Sequence, residues 1–169
     1  SRLHQAVISS KMSAFSEGVV GFPRLVRDVA RQLGKDVELV IEGRSTSVDR
    51  DILERIESPL IHLLRNSVDH GIEFPDERVR LGKPAKATIV LRAFHRAGML
   101  SVEVYDDGRG IDLDQLRRTV VERKLTSEVM ASSLTDEELY EFLYLPKFTT
   151  KKTVDEISGR GVGLDVVRS

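Results

Sequence analysis

The sequence contains no cysteine, which excludes a disulfide framework and a thiolate metal site and is typical of a reducing compartment. No apolar run approaches the roughly 20 residues that a membrane-spanning helix needs, so we expect no membrane insertion. Lysine and arginine nearly balance aspartate and glutamate, for a formal net charge of −1, which gives no electrostatic reason to expect a nucleic acid partner. The first residues lack the cationic start and apolar stretch of a signal peptide, and we expect a cytoplasmic protein.

The composition is that of a globular chain, with 40% apolar and 31% charged residues in 169, enough for one domain with a sizeable core. The periodicity of the apolar residues and the positions of glycine and proline predict the main elements. These are a helix from Pro23, a strand over 36–42, a helical stretch over 49–73 with a kink or break at Pro59, a loop over 74–86, a hairpin of 87–95 and 100–106, and helices at about 113–124 and 135–144. The order predicts an α+β fold rather than alternating parallel βαβ units.

Polar side chains gather on one face of the helical stretch. At about 100° per residue, His62, Asn66, Asp69, His70 and Glu73 fall within one narrow arc, opposite an apolar face. An amide oxygen and a neutral imidazole can ligate Mg²⁺, and an imidazole can accept a proton near neutral pH. A solvated helix surface is the alternative interpretation.

Two glycine patterns follow. Asp106 ends a predicted strand and is followed by Gly108 and Gly110, which would let the backbone approach a ligand closely; an ordinary tight turn is the alternative. A second cluster, at 159–163, leads directly into a predicted helix, where exposed amides favour phosphate. Its spacing differs from the dinucleotide fingerprint and from the P-loop, so it indicates little by itself.

The three patterns in this order resemble the ATPase superfamily of gyrase, Hsp90, MutL and histidine kinases, from about residue 22 to the end of the chain. Within that superfamily the residues of these motifs are most similar to those of CheA-type histidine kinases. The matching segments are 22–28 at the entry to the kinase domain, 62–73 as the asparagine box, 106–110 as the first glycine box, 146–150 as the phenylalanine box and 159–163 as the second glycine box.

The resemblance implies a two-layer α/β sandwich with a mixed or antiparallel sheet, helices on one face and a long lid over about 111–158. It divides the chain into residues 1–20, a remnant of a dimerisation helix and linker, and residues 21–169, the ATP-binding catalytic domain. The family's domain continues with further strands after the second glycine box, so we expect the C-terminal strands to be missing here.

The resemblance also implies residue roles. Asn66 would ligate the Mg²⁺ that bridges the phosphates of ATP, with His70 as a second ligand or phosphate contact and Asp69 at the nucleotide. His62 stands where hydrolysing members carry a water-activating glutamate, and is implied to be catalytic, near the γ-phosphate. Asp106 would accept a hydrogen bond from the adenine amino group. The remaining implied nucleotide contacts are Gly108, Gly110, Phe148, Thr150, Gly159, Gly161 and Gly163.

The implied function is transfer of the γ-phosphate of ATP to a histidine on a separate phosphotransfer domain, in chemotaxis-like two-component signalling. The implied partners are that domain, a response regulator, a receptor with a CheW-like adaptor, and a second copy of the full-length protein as a homodimer. Two alternatives stay open: a hydrolysing ATPase such as a chaperone or topoisomerase subunit, against which His62 in place of glutamate argues, and a nucleotide-binding scaffold without activity.

Overall fold

The computed structural model of the chain describes residues 11–145. Contacts divide the chain into two units, Ser1–Gly110 and Ile111–Ser169, and each is described by itself. No helix within residues 11–145 has both the length and the apolar character that crossing a bilayer requires.

The first unit combines a mixed sheet with helices. Its elements in chain order are β1 Met12–Ala14, α1 Phe15–Gly18, α2 Phe22–Gln32, β2 Val37–Glu42, β3 Ser47–Asp49, α3 Arg50–Asn66, a π-helical turn Ser67–Gly71, α4 Pro75–Arg80, β4 Ala87–Arg96 and β5 Met99–Asp106. The main sheet has the order β2-β4-β5, with β2 parallel to β4 and β4 antiparallel to β5, while β1 pairs with β3 in a separate antiparallel ladder.

Alternation along β4 explains the layering. Ala87, Ile89, Leu91 and Ala93 are buried, while the residues between them are partly exposed, so one face of the sheet packs against helices and the other faces solvent. The buried core of this unit draws on α1, α2, α3 and the sheet: Phe15, Val19, Phe22, Val26, Val29, Ala30, Val37, Ile41, Val48, Leu53, Leu60, Leu64, Val68, Ile72, Ala87, Ile89, Leu91 and Ala93. The predicted boundary at residue 20 stays a prediction.

Two helices of this unit end in the same way. In α2, Gly34 adopts φ +71, and the amides of Gly34 and Lys35 donate to Arg31 O at 3.2 Å and Ala30 O at 2.8 Å. In α4, Gly82 adopts φ +77, and the equivalent bonds reach Val79 O at 3.0 Å and Arg78 O at 2.9 Å. Both are glycine-capped Schellman ends, and each is followed by a lysine from the tripeptide Leu-Gly-Lys.

The second unit is helical within residues 111–145. It contains α5 Leu113–Glu122, α6 Glu128–Ser133, α7 Asp136–Glu141 and a 3₁₀ turn Phe142–Tyr144, around a small core of Leu116, Val120, Ala131 and Leu139. Thr135 and Glu138 form a capping box at the start of α7. That residues 111–158 act as a lid stays a prediction.

The mixed α+β fold predicted from the sequence is confirmed, and three details of the prediction are wrong. No break occurs at Pro59, because α3 continues through it, and the helical geometry changes at Ser67 instead. The segment predicted as a loop contains α4, for which Pro75 at the first turn was an available signal. The helix α6 was missed, although Ser127 caps it by accepting from Met130 N at 3.2 Å.

Candidate functional site

The last turns of α3 carry a paired histidine and asparagine. Asn66 Nδ2 lies 3.2 Å from His62 Nε2, one turn earlier on the same face. Because an amide NH₂ only donates, His62 Nε2 is the acceptor in this bond, which requires the tautomer with its proton on Nδ1. The pairing orients the carboxamide and leaves Asn66 Oδ1 as the atom of this side chain that can ligate a cation.

The donor set fits a metal that is shared with a ligand rather than one enclosed by the protein. Within residues 11–145 there is no group of three or more His, Cys, Asp or Glu side chains that could hold an ion. Mg²⁺ commonly uses one or two protein ligands together with phosphate oxygens and waters, so Asn66 with His70 would suffice. The His70 Nε2 lies 3.5 Å from Asp69 Oδ2, so the two side chains stand next to each other after Asn66.

A π-helical turn follows Asn66. Ile72 N donates to Ser67 O at 2.9 Å, an i to i+5 bond, and such turns recur at functional sites. Lys35 Nζ donates to the carbonyls of Val68 at 2.8 Å and Asp69 at 2.7 Å. Lys35, which follows the capped end of α2, therefore fixes the backbone of the turn that carries Asp69 and His70.

The change to π geometry removes Glu73 from the predicted polar face. The sequence places Glu73 beside His62, but the helix ends before it, and the Glu73 side chain is only 1% exposed. It lies 2.9 Å from Lys83 Nζ and 3.5 Å from Arg78 Nη1. Its role is therefore a buried ion pair rather than a contact on an open helix surface.

The glycine turn after β5 is joined to the end of the π-helical turn. Arg109 N donates to Gly71 O at 2.8 Å, and a Cβ added at Gly108 would lie 2.0 Å from that same oxygen. Only glycine permits this approach. Gly108 N donates to Asp106 Oδ1 at 3.0 Å, which orients the carboxylate and leaves Oδ2 as its oxygen for a ligand.

Gly71 also keeps the space beside that carboxylate open. A Cβ on Gly71 would lie 3.0 Å from Asp106 Oδ2. The structure thus brings the end of the asparagine-bearing segment next to the Asp106 carboxylate.

Sequence reasoning missed the supports of this turn. Thr88 N in β4 donates to Asp107 Oδ1 at 3.1 Å. Arg78 Nη2 donates to the other oxygen, Asp107 Oδ2, at 2.9 Å. Arg78 is fully buried and donates to Pro84 O at 2.7 Å. The one available signal was the spacing of opposite charges at Glu73, Arg78 and Lys83 in a segment that the sequence alone describes as a loop.

Glu73 gives the site a measurable pH dependence. Burial acts to raise the pKa of its carboxyl, but hydrogen bonds from Lys83 and from its own backbone, with the charges of Lys83 and Arg78, outweigh it and lower that pKa below the ordinary 4.5.

We expect Glu73→Gln to flatten the acid limb of the stability profile. A carboxyl whose folded-state pKa is lowered stabilises the fold fully above pH 4.5 and loses that contribution as pH falls through the folded-state value. Wild-type protein should therefore lose more free energy of unfolding than the variant between about pH 6 and about pH 3. Urea unfolding at a series of pH values measures this, and parallel profiles would contradict it.

Of the predicted site residues, His62, Asn66, Asp69, His70, Asp106, Gly108 and Gly110 lie in the described first unit. Gly110 adopts φ +71, a left-handed conformation that suits glycine. Phe148, Thr150, Gly159, Gly161 and Gly163 lie outside the described residues, and their roles stay predictions.

Comparison with known proteins agrees with the motifs. The chain is 43% identical over 167 residues to chemotaxis protein CheA of Treponema pallidum, 41% identical over 167 residues to sensor histidine kinase CheAY of Helicobacter pylori, and 45% identical over 162 residues to the gliding motility regulatory protein of Myxococcus xanthus. These matches cover 99%, 99% and 96% of this chain but only 20%, 21% and 21% of the relatives. The chain thus spans about a fifth of their length.

A family model also matches most of the chain. Residues 55–169, which include both glycine boxes, match the family described as histidine kinase-, DNA gyrase B-, and HSP90-like ATPase. The resemblance to the CheA-type ATP-binding domain that the motifs predict is confirmed by these similarities. The asparagine-bearing segment contacts the glycine turn, and the family match covers most of the chain. The chain therefore belongs to the histidine kinase-, DNA gyrase B- and HSP90-like ATPase family.

Proposed function

We propose that this chain is the ATP-binding catalytic domain of a CheA-like histidine kinase, which transfers the γ-phosphate of Mg·ATP to a histidine on a separate phosphotransfer domain. The observation that carries the proposal is the direct contact between the end of the asparagine-bearing segment and the glycine turn, at Gly71 and Gly108. This contact supports one continuous site, in which the Asp106 carboxylate would read the base and the Asn66 segment would bind the metal.

Each described residue has a task in this proposal. Asn66 Oδ1, oriented by His62, ligates the metal, which neutralises charge on the phosphates, and His70 is the second ligand or a phosphate contact. The Nδ1–H of His62 is the donor that this side chain offers to the γ-phosphate. Asp106 accepts from the adenine amino group, while Gly108 and Gly110 allow the nucleotide to approach the backbone.

His62 favours transfer over hydrolysis in this scheme. Its Nε2 already accepts from Asn66, so that atom is not available to activate water while the pair is formed. Catalysis would come mainly from positioning and charge neutralisation of the phosphoryl group.

The partners follow from the same proposal. They are the histidine phosphotransfer domain, a response regulator, and a receptor with its CheW-like adaptor, reached through parts of a homodimeric full-length protein on the cytoplasmic side of the membrane.

The kinase assay tests the proposal directly. Full-length protein, labelled Mg·ATP and a candidate phosphotransfer domain should yield label on that domain in a base-stable form typical of phosphohistidine. Steady phosphate release without an acceptor would favour a hydrolysing ATPase. ADP binding without transfer to any acceptor would favour a scaffold module.

Asp106→Asn tests base recognition. We expect ADP to bind about tenfold or more weakly, because a charged hydrogen-bond acceptor is lost, while purine riboside diphosphate, which lacks the amino group, loses far less. Glu103→Gln, an exposed change on the same strand, is the matched control. Calorimetry with both nucleotides measures the difference, and equal losses would remove Asp106 as the base reader.

A further inference from the structure

A cluster of four charged residues, of which Glu73 and Arg78 are buried, lies beside the glycine turn. Glu73 and Arg78 are 1% and 0% exposed, and they meet Lys83 and Asp107 through ion pairs of 2.9–3.5 Å. Two cations balance two anions, so the two buried members are paired with Lys83 and Asp107, whose side chains are 32% and 46% exposed.

Lys83 holds two carbonyls of the turn backbone, and Arg78 Nη1 also donates to one of them, Asp107 O, at 3.3 Å. Lys83 Nζ donates to Glu73 Oε2 at 2.9 Å, to Asp107 O at 3.1 Å and to Gly108 O at 2.9 Å. An ammonium has three donors, and the three acceptors account for all of them. The side chain is held from one side by a carboxylate and holds two consecutive carbonyls on the other.

Local sequence decides where this ammonium lies. Gly82 ends α4 in a left-handed conformation, and Lys83 N bonds to Arg78 O at 2.9 Å. The capped helix end therefore fixes the Cα of Lys83 relative to the buried Arg78.

The held carbonyls flank the atoms that orient Asp106. Gly108 N, the amide of a residue whose carbonyl bonds to Lys83, donates to Asp106 Oδ1. A shift of the Gly108 peptide would move this donor and with it the carboxylate. Two bonds, from Lys83 Nζ to Gly108 O and from Gly108 N to Asp106 Oδ1, therefore link Lys83 to the carboxylate.

We propose that Lys83 is a positioning residue for nucleotide base recognition, with Glu73 and Arg78 holding it in place. This inference rests on the proposed ATP site, and it assigns discrimination of the base to a lysine outside that site. A purely structural ion pair would affect the stability of the fold without changing which base the folded protein prefers.

Lys83→Met tests the inference in the full-length protein. We expect ADP affinity to fall about tenfold, since charge-assisted bonds to the turn are lost, and purine riboside diphosphate affinity to fall much less. The ratio of the two affinities, measured by calorimetry, reports the position of Asp106 in folded molecules and is insensitive to a smaller folded fraction. Should the single variant not fold, Glu73→Gln with Lys83→Met removes the unpaired buried charge and is expected to show the same loss of ratio.

Two lysines serve as controls. Lys86→Met, at an exposed position of the same loop, should leave both affinities unchanged. Lys35→Met removes two comparable carbonyl bonds at the other Leu-Gly-Lys end and should lower stability while keeping the base ratio of wild type.

The outcomes separate this inference from the proposed function. Wild-type discrimination between the two nucleotides, with an unchanged ratio in the Lys83 variants, would overturn the role of Lys83 and leave the ATP site intact. Wild-type protein that binds no ADP would overturn the ATP site and this inference together. A reduced ratio in Lys35→Met equal to that in Lys83→Met would show a general structural effect and would also overturn it.

Discussion

Asn66→Ala is expected to reduce Mg·ATP-dependent phosphoryl transfer by about a thousandfold or more, because several kcal/mol of charge stabilisation at the transferring group depend on a correctly held metal. The substitution removes both Oδ1, the proposed ligand atom, and Nδ2, which bonds to His62 at 3.2 Å. Single-turnover transfer from labelled ATP, followed across a range of Mg²⁺ concentrations, measures the loss.

The metal role predicts a particular pattern in that experiment. Arg65→Ala changes the exposed neighbouring residue and should leave transfer intact. His62→Ala keeps Asn66 Oδ1 but removes the bond that orients it, so the rate of transfer should fall by less than in Asn66→Ala. In the same His62 variant, nucleotide affinity should fall by a smaller factor than the rate of transfer. Full activity of Asn66→Ala at all Mg²⁺ concentrations would exclude Asn66 as a metal ligand.

Gly108→Ala is expected to lower the free energy of unfolding by about 2–3 kcal/mol and to abolish measurable ADP binding. The added Cβ would lie 2.0 Å from Gly71 O and 2.8 Å from Asp106 Oδ1. Backbone cannot yield as a flexible side chain does, so the turn must separate from the π-helical segment, and Asp106 would lose its orientation. Urea unfolding and calorimetry with ADP measure the two effects.

Gly110→Ala separates crowding from backbone strain in the same turn. Gly110 has φ +71 but no heavy atom within 4 Å of its added Cβ, so only the left-handed conformation is penalised, at about 1 kcal/mol. If Gly108→Ala were no more destabilising than Gly110→Ala, the close approach to Gly71 would not be a feature of the folded protein in solution.

The elements with strong local signals could be predicted. The alternation of Val37, Leu39 and Ile41, the turn at Ala97 and Gly98, and the capping box at Thr135 each depend on near neighbours in the chain. The fold class followed from their order. Asn66, Asp106 and Gly108 could also be named, because motif and spacing are written directly in the sequence.

Other features could not be predicted, because they depend on groups far apart in the chain. The sequence places Glu73 on the polar face at α-helical spacing, but Lys35 bonds to Val68 and Asp69 from 33 and 34 residues away, and the segment they belong to adopts π geometry. From the sequence alone we would expect Arg78 to be a surface cation in a loop. Its burial depends on Asp107, which lies 29 residues later in the chain.

The sequence by itself therefore determined which chemical groups we propose for a nucleotide, namely the amide of Asn66, the carboxylate of Asp106 and the glycines that allow close approach. The tertiary structure alone decided how those groups are held. Gly71 lies against Gly108, and Lys83 bonds both to Glu73 and to two carbonyls of the turn. The physical reason is that identity and spacing are local properties, whereas a buried charge is stable only where distant parts of the chain supply its partners.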